Sequence, residues 1–382
     1  MRILTIAATP FFSDRGCHMR IYNGAKYLEK FGAEVKIYTY FSGESVGGLD
    51  VEKIKKVRWY KRTAPGFSWG KFWLDIKLIF LCRIAIRTFR PDIIHAHMYE
   101  GLGVGYVAKR LAFRNIPIVT DVQADLDEEF RNYNRNNYIA RRIFVWLSRR
   151  LINRCDWLVL SSENVRPKME KLYRHKDRIS IIRDGVDLDL FKNIPKLTEV
   201  EQKNIEEIKE WKEDNKLLVY IGGLSDNKGV GELLEGFKNF TSQRGGWKLL
   251  IGGFGSDEEK YKEFIKRNDL NKWVYFAGKV KYFSLPAYLA LADAAIDPKN
   301  GSTEASGKLV NLMAAGCPII CFEKEFNRAR LGEKGYYMKS FGDLDGVLAN
   351  INGKEKIDYN LKNVSQGKEV QKLMSIFRLL TK

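Results

Sequence analysis

Short apolar runs of strand length alternate with helix-length amphipathic segments along nearly all of this 382-residue chain, and that alternation leaves few folds open. In the first half the runs are Ile3–Ala7, Val35–Thr39, Ile93–Ala96, Ile118–Val122, Trp157–Leu160 and Ile179–Ile182. Strands that are apolar on both faces need cover on both faces, which parallel sheets obtain from helices packed above and below. A second series, Leu217–Ile221, Trp247–Ile251, Val274–Ala277, Ala294–Ile296 and Pro318–Cys321, follows a charged stretch from Glu199 to Lys216 that reads as an amphipathic helix. The expectation is an α/β chain of two Rossmann-like, doubly wound domains facing each other across a cleft. The first spans residues 1–190 and the second 191–365, with residues 366–382 forming a C-terminal helix that packs back towards the first.

Composition narrows the setting. A hydrophobic fraction of 45% with 13% aromatics fills two cores. Cys17, Cys82, Cys155, Cys317 and Cys321 form an odd set without CxxC or His-rich spacing, which argues against a disulfide framework and a zinc site and for a cytoplasmic protein. The N-terminal run reads as a buried strand ending at Pro10 rather than as a signal peptide. The longest apolar stretch, Phe72 to Ile86, is interrupted by Asp75, Lys77 and Arg83, so no bilayer span is expected.

The net charge is +18, and residues 1–190, with 34 Lys and Arg against 21 Asp and Glu, carry +13 of it. Two basic-aromatic segments concentrate that charge. Arg131, Arg135, Arg141, Arg142, Arg149, Arg150 and Arg154 interleave with Ile143, Phe144, Val145, Trp146, Leu147 and Leu151, with no acid between Arg131 and Arg154. Trp69, Lys71, Phe72, Trp73, Lys77, Phe80, Arg83 and Arg87 form the other. Helices of this kind lie in an anionic headgroup layer, or else are core helices with solvated basic faces. Nucleic acid is disfavoured, because the aromatics sit among aliphatics rather than alone as stacking platforms.

The segment Gly301-Ser-Thr-Glu-Ala-Ser-Gly-Lys-Leu-Val-Asn-Leu-Met-Ala-Ala-Gly-Cys-Pro318 is a small-residue loop running into a short helix that Gly316 and Pro318 stop. Ser302, Thr303, Ser306 and Gly307 let a ligand approach the main chain, and Lys308 opens a helix whose free N–H groups favour phosphate. Glu304 would repel phosphate and suits hydroxyls instead. Phosphate joined to a polyhydroxylated group describes a nucleotide sugar. Asp-x-Asp at Asp125–Asp127, Asp187–Asp189 and Asp343–Asp345 lies in no Gly/Ser-rich nucleotide loop, so no metal or other cofactor is expected.

The ordered set Arg183-Asp-Gly-Val-Asp187 with Phe191, Tyr220-Ile-Gly-Gly-Leu-Ser-Asp-Asn-Lys-Gly229, Ile251-Gly-Gly-Phe-Gly255, Ala292-Asp293 and Lys308–Pro318 resembles the GT-B glycosyltransferases of the retaining, family 4 type, over essentially the whole chain. The resemblance implies a metal-independent enzyme that moves a sugar from a nucleotide diphosphate sugar, UDP ahead of GDP, to a lipid-linked or polysaccharide-precursor acceptor. The departing phosphate oxygen would deprotonate the acceptor on the same face, so no dedicated nucleophile is needed. Carried onto this chain, Lys228 stabilises the leaving diphosphate, Glu304 holds the sugar, and His97, ending the Asp92-Ile-Ile-His-Ala-His strand, meets sugar or acceptor. Gly222, Gly223, Gly253, Ser306, Gly307 and Lys308 would line the diphosphate, Asn311 the ribose. Ser13-Asp-Arg-Gly16 with Arg20 resembles the glycine loop that closes over the donor phosphates, with Arg15 or Arg20 adding charge. His95 is expected on the opposite strand face as a satisfied core histidine.

Three positions depart from the family pattern. Gly223 stands where the family has Arg, and Asn311 where it has Glu. Thr120-Asp-Val-Gln-Ala-Asp125 lacks the family's histidine, so Gln123 or Asp125 takes its place. These departures motivate a rival reading, a catalytically silent GT-B module that binds a partner glycosyltransferase or a membrane glycolipid. A nucleotide-sugar epimerase on the same fold is a further alternative.

Overall fold

The computed structural model describes residues 1–14, 16–60, 69–123, 138–243, 245–300, 307–353 and 356–382. The chain divides into two compact units, Met1–Asp184 with Gln366–Lys382, and Gly185–Ser365. Residues 185–190 thus belong to the second unit rather than the first. Val186 N–H donates to the Val364 carbonyl at 2.8 Å, and Val186 forms a parallel bridge with Ser365.

The first unit is built on a seven-stranded parallel sheet. Its strands are β1 (Arg2–Ala7), β2 (Glu34–Thr39), β3 (Asp50–Lys53), β4 (Ile93–His97), β5 (Ile118–Val122), β6 (Trp157–Leu160) and β7 (Ile179–Ile181), in the order β3-β2-β1-β4-β5-β6-β7. Central β4 and β5 are buried along their whole length, His95, His97, Thr120 and Asp121 included. Edge strand β3 alternates exposed and half-buried residues and has no apolar run, so its sequence carries no strand signal. Helices α1 (Gly16–Lys30), α2 (Trp69–Thr88), α3 (Met98–Leu111) and α4 (Tyr138–Ile152) cover the sheet. α3 packs against α2 and α4, and α1 against the C-terminal helix Gln366–Leu380. That last helix buries Val370, Leu373, Met374 and Phe377, a stripe at helical spacing.

The second unit holds a six-stranded parallel sheet of β8 (Lys216–Gly223), β9 (Trp247–Phe254), β10 (Val274–Gly278), β11 (Ala294–Asp297), β12 (Ile319–Phe322) and β13 (Gly335–Met338), ordered β10-β9-β8-β11-β12-β13. Edge strand β13 is half exposed and escaped the apolar count for the same reason as β3. The charged stretch before β8 forms α5 (Glu199–Lys212), whose start is fixed by a reciprocal capping box between Thr198 and Glu201 and whose apolar side buries Ile205 and Ile208. α6 (Val230–Gln243), α7 (Glu258–Arg267) and α8 (Lys308–Ala315) follow the strands of the sheet's first half and β11.

Each sheet reverses its strand order once, between β1 and β4 and between β8 and β11. Doubly wound sheets bind ligands outside the carboxyl ends of the strands at such a reversal. His97 ends β4; Gly222 and Gly223 end β8, and Asp297 ends β11. Among the described residues no helix is long and apolar enough to cross a membrane.

Candidate active site

In the second unit the site starts from two strand ends that only glycine permits. Gly222 pairs with Gly253 across β8 and β9. A Cβ on Gly253 would lie 1.8 Å from the Gly222 carbonyl oxygen, and its φ of +142° is open to glycine alone. The glycine at 253 is therefore demanded by the neighbouring strand. After β8 the chain makes a single 3-10 turn, Asp226–Lys228, and Gly229 with φ +75° leads into α6.

Two lysines converge on the end of β8. Lys228 brings its Cε to 3.8 Å from the place a Cβ on Gly223 would occupy. From the other side Lys308, the first residue of α8, brings its Nζ to 3.1 Å from the corresponding place on Gly222. Lys308 also pairs with Asp297 Oδ1 at 3.1 Å, lies 3.4 Å from the Tyr220 hydroxyl and sits 4.4 Å from the Tyr220 ring centroid. Burial alone would pull the Lys308 ammonium below its usual pKa, but Asp297 and Tyr220 outweigh it and hold the group above. Two cations beside two side-chain-free residues, at a strand-order reversal and at a helix N-terminus, make a cradle suited to a diphosphate. Gly307 is the exposed N-cap of α8 and Asn311 is half-buried within that helix. Glu304 and Ser306 lie outside the described residues.

In the first unit the parallel register sets His97 beside both Ala7 and Asp121. Two corrections arise here. His95 does not take the opposite face: residues two apart on a strand share one, and the His95 and His97 rings stand 4.3 Å apart. Neither is satisfied as a core histidine among the described residues, where His95 Nε2 and both ring nitrogens of His97 are buried without a hydrogen-bond partner. Burial, with Arg20 nearby, lowers the His95 pKa to about 3, and burial, His95 and Arg20 push His97 well below its usual value, so both rings are neutral at physiological pH. The Gln123 side-chain nitrogen, just after β5, is likewise buried without a partner among the described residues. Arg15 and Asp125 lie outside the described residues.

The second correction concerns Arg20. It is not an exposed arginine on a closing loop but a buried one, donating from Nε and Nη2 to the two Asp121 oxygens at 2.8 and 3.0 Å, from Nη1 to Asp184 at 2.8 Å and from Nη2 to the Ile182 carbonyl at 2.7 Å. With its donors committed in this way it anchors the start of the crossover between units. Gly16, the first residue of α1, is exposed. The loop before it is fastened by His18, whose Nδ1 accepts from the Ser13 N–H at 3.0 Å while Nε2 lies 2.9 Å from the Thr9 hydroxyl. His95, His97 and Asp121 bring possible metal-ligand atoms within 4.8 Å of one another, but Arg20 already occupies both Asp121 oxygens and would face any added cation.

Comparison with known proteins identifies the family from matches to both halves of the chain. The profile of Glycosyltransferase Family 4 matches residues 15–190, and that of Glycosyl transferases group 1 matches residues 201–344. The chain belongs to the GT-B glycosyltransferases of the family 4 type. This glycosyltransferase is 22% identical over 332 residues to an alpha-monoglucosyldiacylglycerol synthase of Acholeplasma laidlawii, a match covering 83% of the chain and 79% of the relative. It is 22% identical over 264 residues to the synthase of the same name from Streptococcus pneumoniae, covering 68% of the chain but 58% of that protein. The Anabaena protein HepE, solved with UDP and glucose, superposes with a TM-score of 0.71 at 16% identity, covering 99% of this chain and 100% of that one.

Sequence reasoning missed Tyr220, Asp297, His18, Asp121 and Asp184. Asp297 had a legible signal, a carboxylate ending an apolar strand eleven residues before Lys308. Tyr220, Asp121 and Asp184 act through partners distant in sequence, whereas His18 holds the nearby Thr9 and Ser13.

Proposed function

We propose that the glycosyltransferase transfers a sugar, with retention of configuration and without a metal, from a nucleotide diphosphate sugar, UDP ahead of GDP, to a lipid-linked or glycan-precursor acceptor at a membrane surface. The observation that carries the donor half is the convergence of Lys228 and Lys308 on Gly222 and Gly223. Charge that builds on a departing diphosphate is stabilised best by cations already in place, which cost no reorganisation during bond breaking. HepE with UDP and glucose supports the choice of base, and the two diacylglycerol synthases support a lipid acceptor. Titration calorimetry with UDP, GDP and ADP is expected to find micromolar binding of one nucleotide. If a folded protein binds none of them, the donor reading fails and the silent module, which Gly223, Asn311 and Gln123 favour, replaces it.

The membrane half rests on the face formed by α2, α3 and α4. Phe72, Trp73, Phe80, Ile84, Val107, Leu111, Trp146 and Leu147 are exposed on these helices, and Phe113 just beyond α3 is 88% exposed. Lys77, Arg87, Arg110, Arg142, Arg149 and Arg150 are exposed among them. The acids of these helices, Asp75 and Glu100, turn to inner partners: Tyr40 donates to Asp75 at 2.5 Å and Lys71 pairs with Glu100 at 2.9 Å. Apolar wedges among exposed cations suit an anionic headgroup layer. Co-sedimentation with phosphatidylglycerol vesicles should exceed that with phosphatidylcholine vesicles and fall with salt. Replacing Trp73 and Trp146 by alanine should weaken it by about tenfold, with nucleotide binding unchanged. Equal or absent binding to both vesicles would remove the membrane from the reading.

A further inference from the structure

We infer that Asp297 and Tyr220 are positioning residues of the donor site, holding Lys308 beside Gly222 at the end of β8 so that it supplies the diphosphate with the positive charge that a glycine at position 223 does not. The inference rests on the donor reading above. Both residues act on the donor through Lys308.

The Tyr220 hydroxyl donates to the Gly223 carbonyl at 2.7 Å, so its single hydrogen is spent and an oxygen lone pair is left to face the Lys308 ammonium at 3.4 Å. Lys308 therefore donates to Tyr220 and pairs with Asp297, a carboxylate 3% exposed at the end of β11. Three elements, β8, β11 and α8, thus fix one lysine at the strand-order reversal. Room for it exists because position 222 has no side chain: a Cβ there would stand 2.9 Å from the Tyr220 hydroxyl and 3.0 Å from Lys308 Cδ. A lysine on a solvated loop explores many rotamers, and an ordered cation has already met that entropic cost before a ligand arrives. Asp297 also keeps the ammonium charged. Without it, burial, the largest influence on Lys308, would favour the neutral amine.

A purely structural ion pair would alter stability without distinguishing one ligand from another. The test therefore compares a nucleoside diphosphate with the monophosphate of the same base, by calorimetry on the full chain at pH 7 and pH 9. Asp297→Asn should weaken diphosphate binding by about tenfold at pH 7 and further at pH 9, as Lys308 loses its proton, while monophosphate binding stays within about twofold. Lys308→Arg in the Asp297→Asn background should restore a flat pH profile, because arginine stays charged. Tyr220→Phe, which removes one oxygen, should show a diphosphate-specific loss of about threefold and decides the matter if Asp297→Asn does not fold. An unchanged ratio of diphosphate to monophosphate affinity in the folded variants overturns the positioning role. Wild-type protein that binds no diphosphate overturns the donor reading instead, and the positioning role with it.

Discussion

Lys228→Ala is expected to slow sugar transfer by about 100- to 1,000-fold while leaving the fold intact. The lysine follows β8 in the 3-10 turn Asp226–Lys228, and its side chain runs alongside Gly223, where the resemblance to the family leads one to look for an arginine. A cation in that place interacts more strongly with the diphosphate as it leaves than with the intact donor, because negative charge grows on the bridging oxygen. The loss should therefore appear mainly in kcat. Steady-state rates with the nucleotide sugar chosen by calorimetry, alongside thermal melts of both proteins, make the measurement. A rate within about threefold of wild type would refute leaving-group stabilisation by Lys228. Combining the change with Lys308→Ala should remove more than either alone, since Lys228 lies beside Gly223 and Lys308 beside the adjacent Gly222.

The second large effect is one of stability. Arg20→Met is expected to destabilise the first unit by about 3–5 kcal/mol, because it leaves Asp121 buried without its bidentate partner and releases Asp184. The size of the loss should depend on pH, with a definite sign. Burial already pushes the Asp121 carboxyl above its ordinary pKa, against the opposing pull of Arg20. Without the arginine that folded-state pKa rises further above the unfolded value. The folded variant then holds a proton the unfolded chain has released, and its stability falls as pH climbs through that window. Urea denaturation at pH 5 and pH 8 should show the larger deficit at pH 8. A deficit below about 1 kcal/mol at both would mean that the network holds nothing that matters.

Much of the architecture was legible because buried parallel strands cannot disguise their apolar runs. β4 and β5 are visible as Ile-Ile-His-Ala-His and Ile-Val-Thr-Asp-Val. The edges were not: β3 and β13 are half in water, and water tolerates a polar residue wherever the core does not. At the site, Lys228 and Lys308 could be placed by local order alone, each in the turn or helix that follows a strand. Arg20 could not, since its carboxylate partners lie 101 and 164 residues away and only the sheet brings them together. Two of the Asp-x-Asp pairs have local uses that spacing hides. Asp187 caps a short helix by accepting the Asp189 N–H at 3.3 Å, and Asp343 accepts the Lys339 and Ser340 N–H groups at 2.7 and 2.9 Å.

The chain leaves its first unit between Asp184 and Gly185 and returns between Ser365 and Gln366, where the last helix completes that unit's core. Gene order and spatial order therefore disagree. A stop codon at Gln366 would spare every residue of the second unit and strip Val370, Leu373 and Phe377 from the first, so damage written after the second unit is felt in the first. The disagreement is also reversible. Thr381 and Met1 lie in contact, with Oγ1 3.9 Å from Sδ. Splicing Lys382 to Met1 and opening the chain at Gly185 would yield a rearranged gene in which each unit is one uninterrupted stretch, joined by a single thread where the natural chain has two.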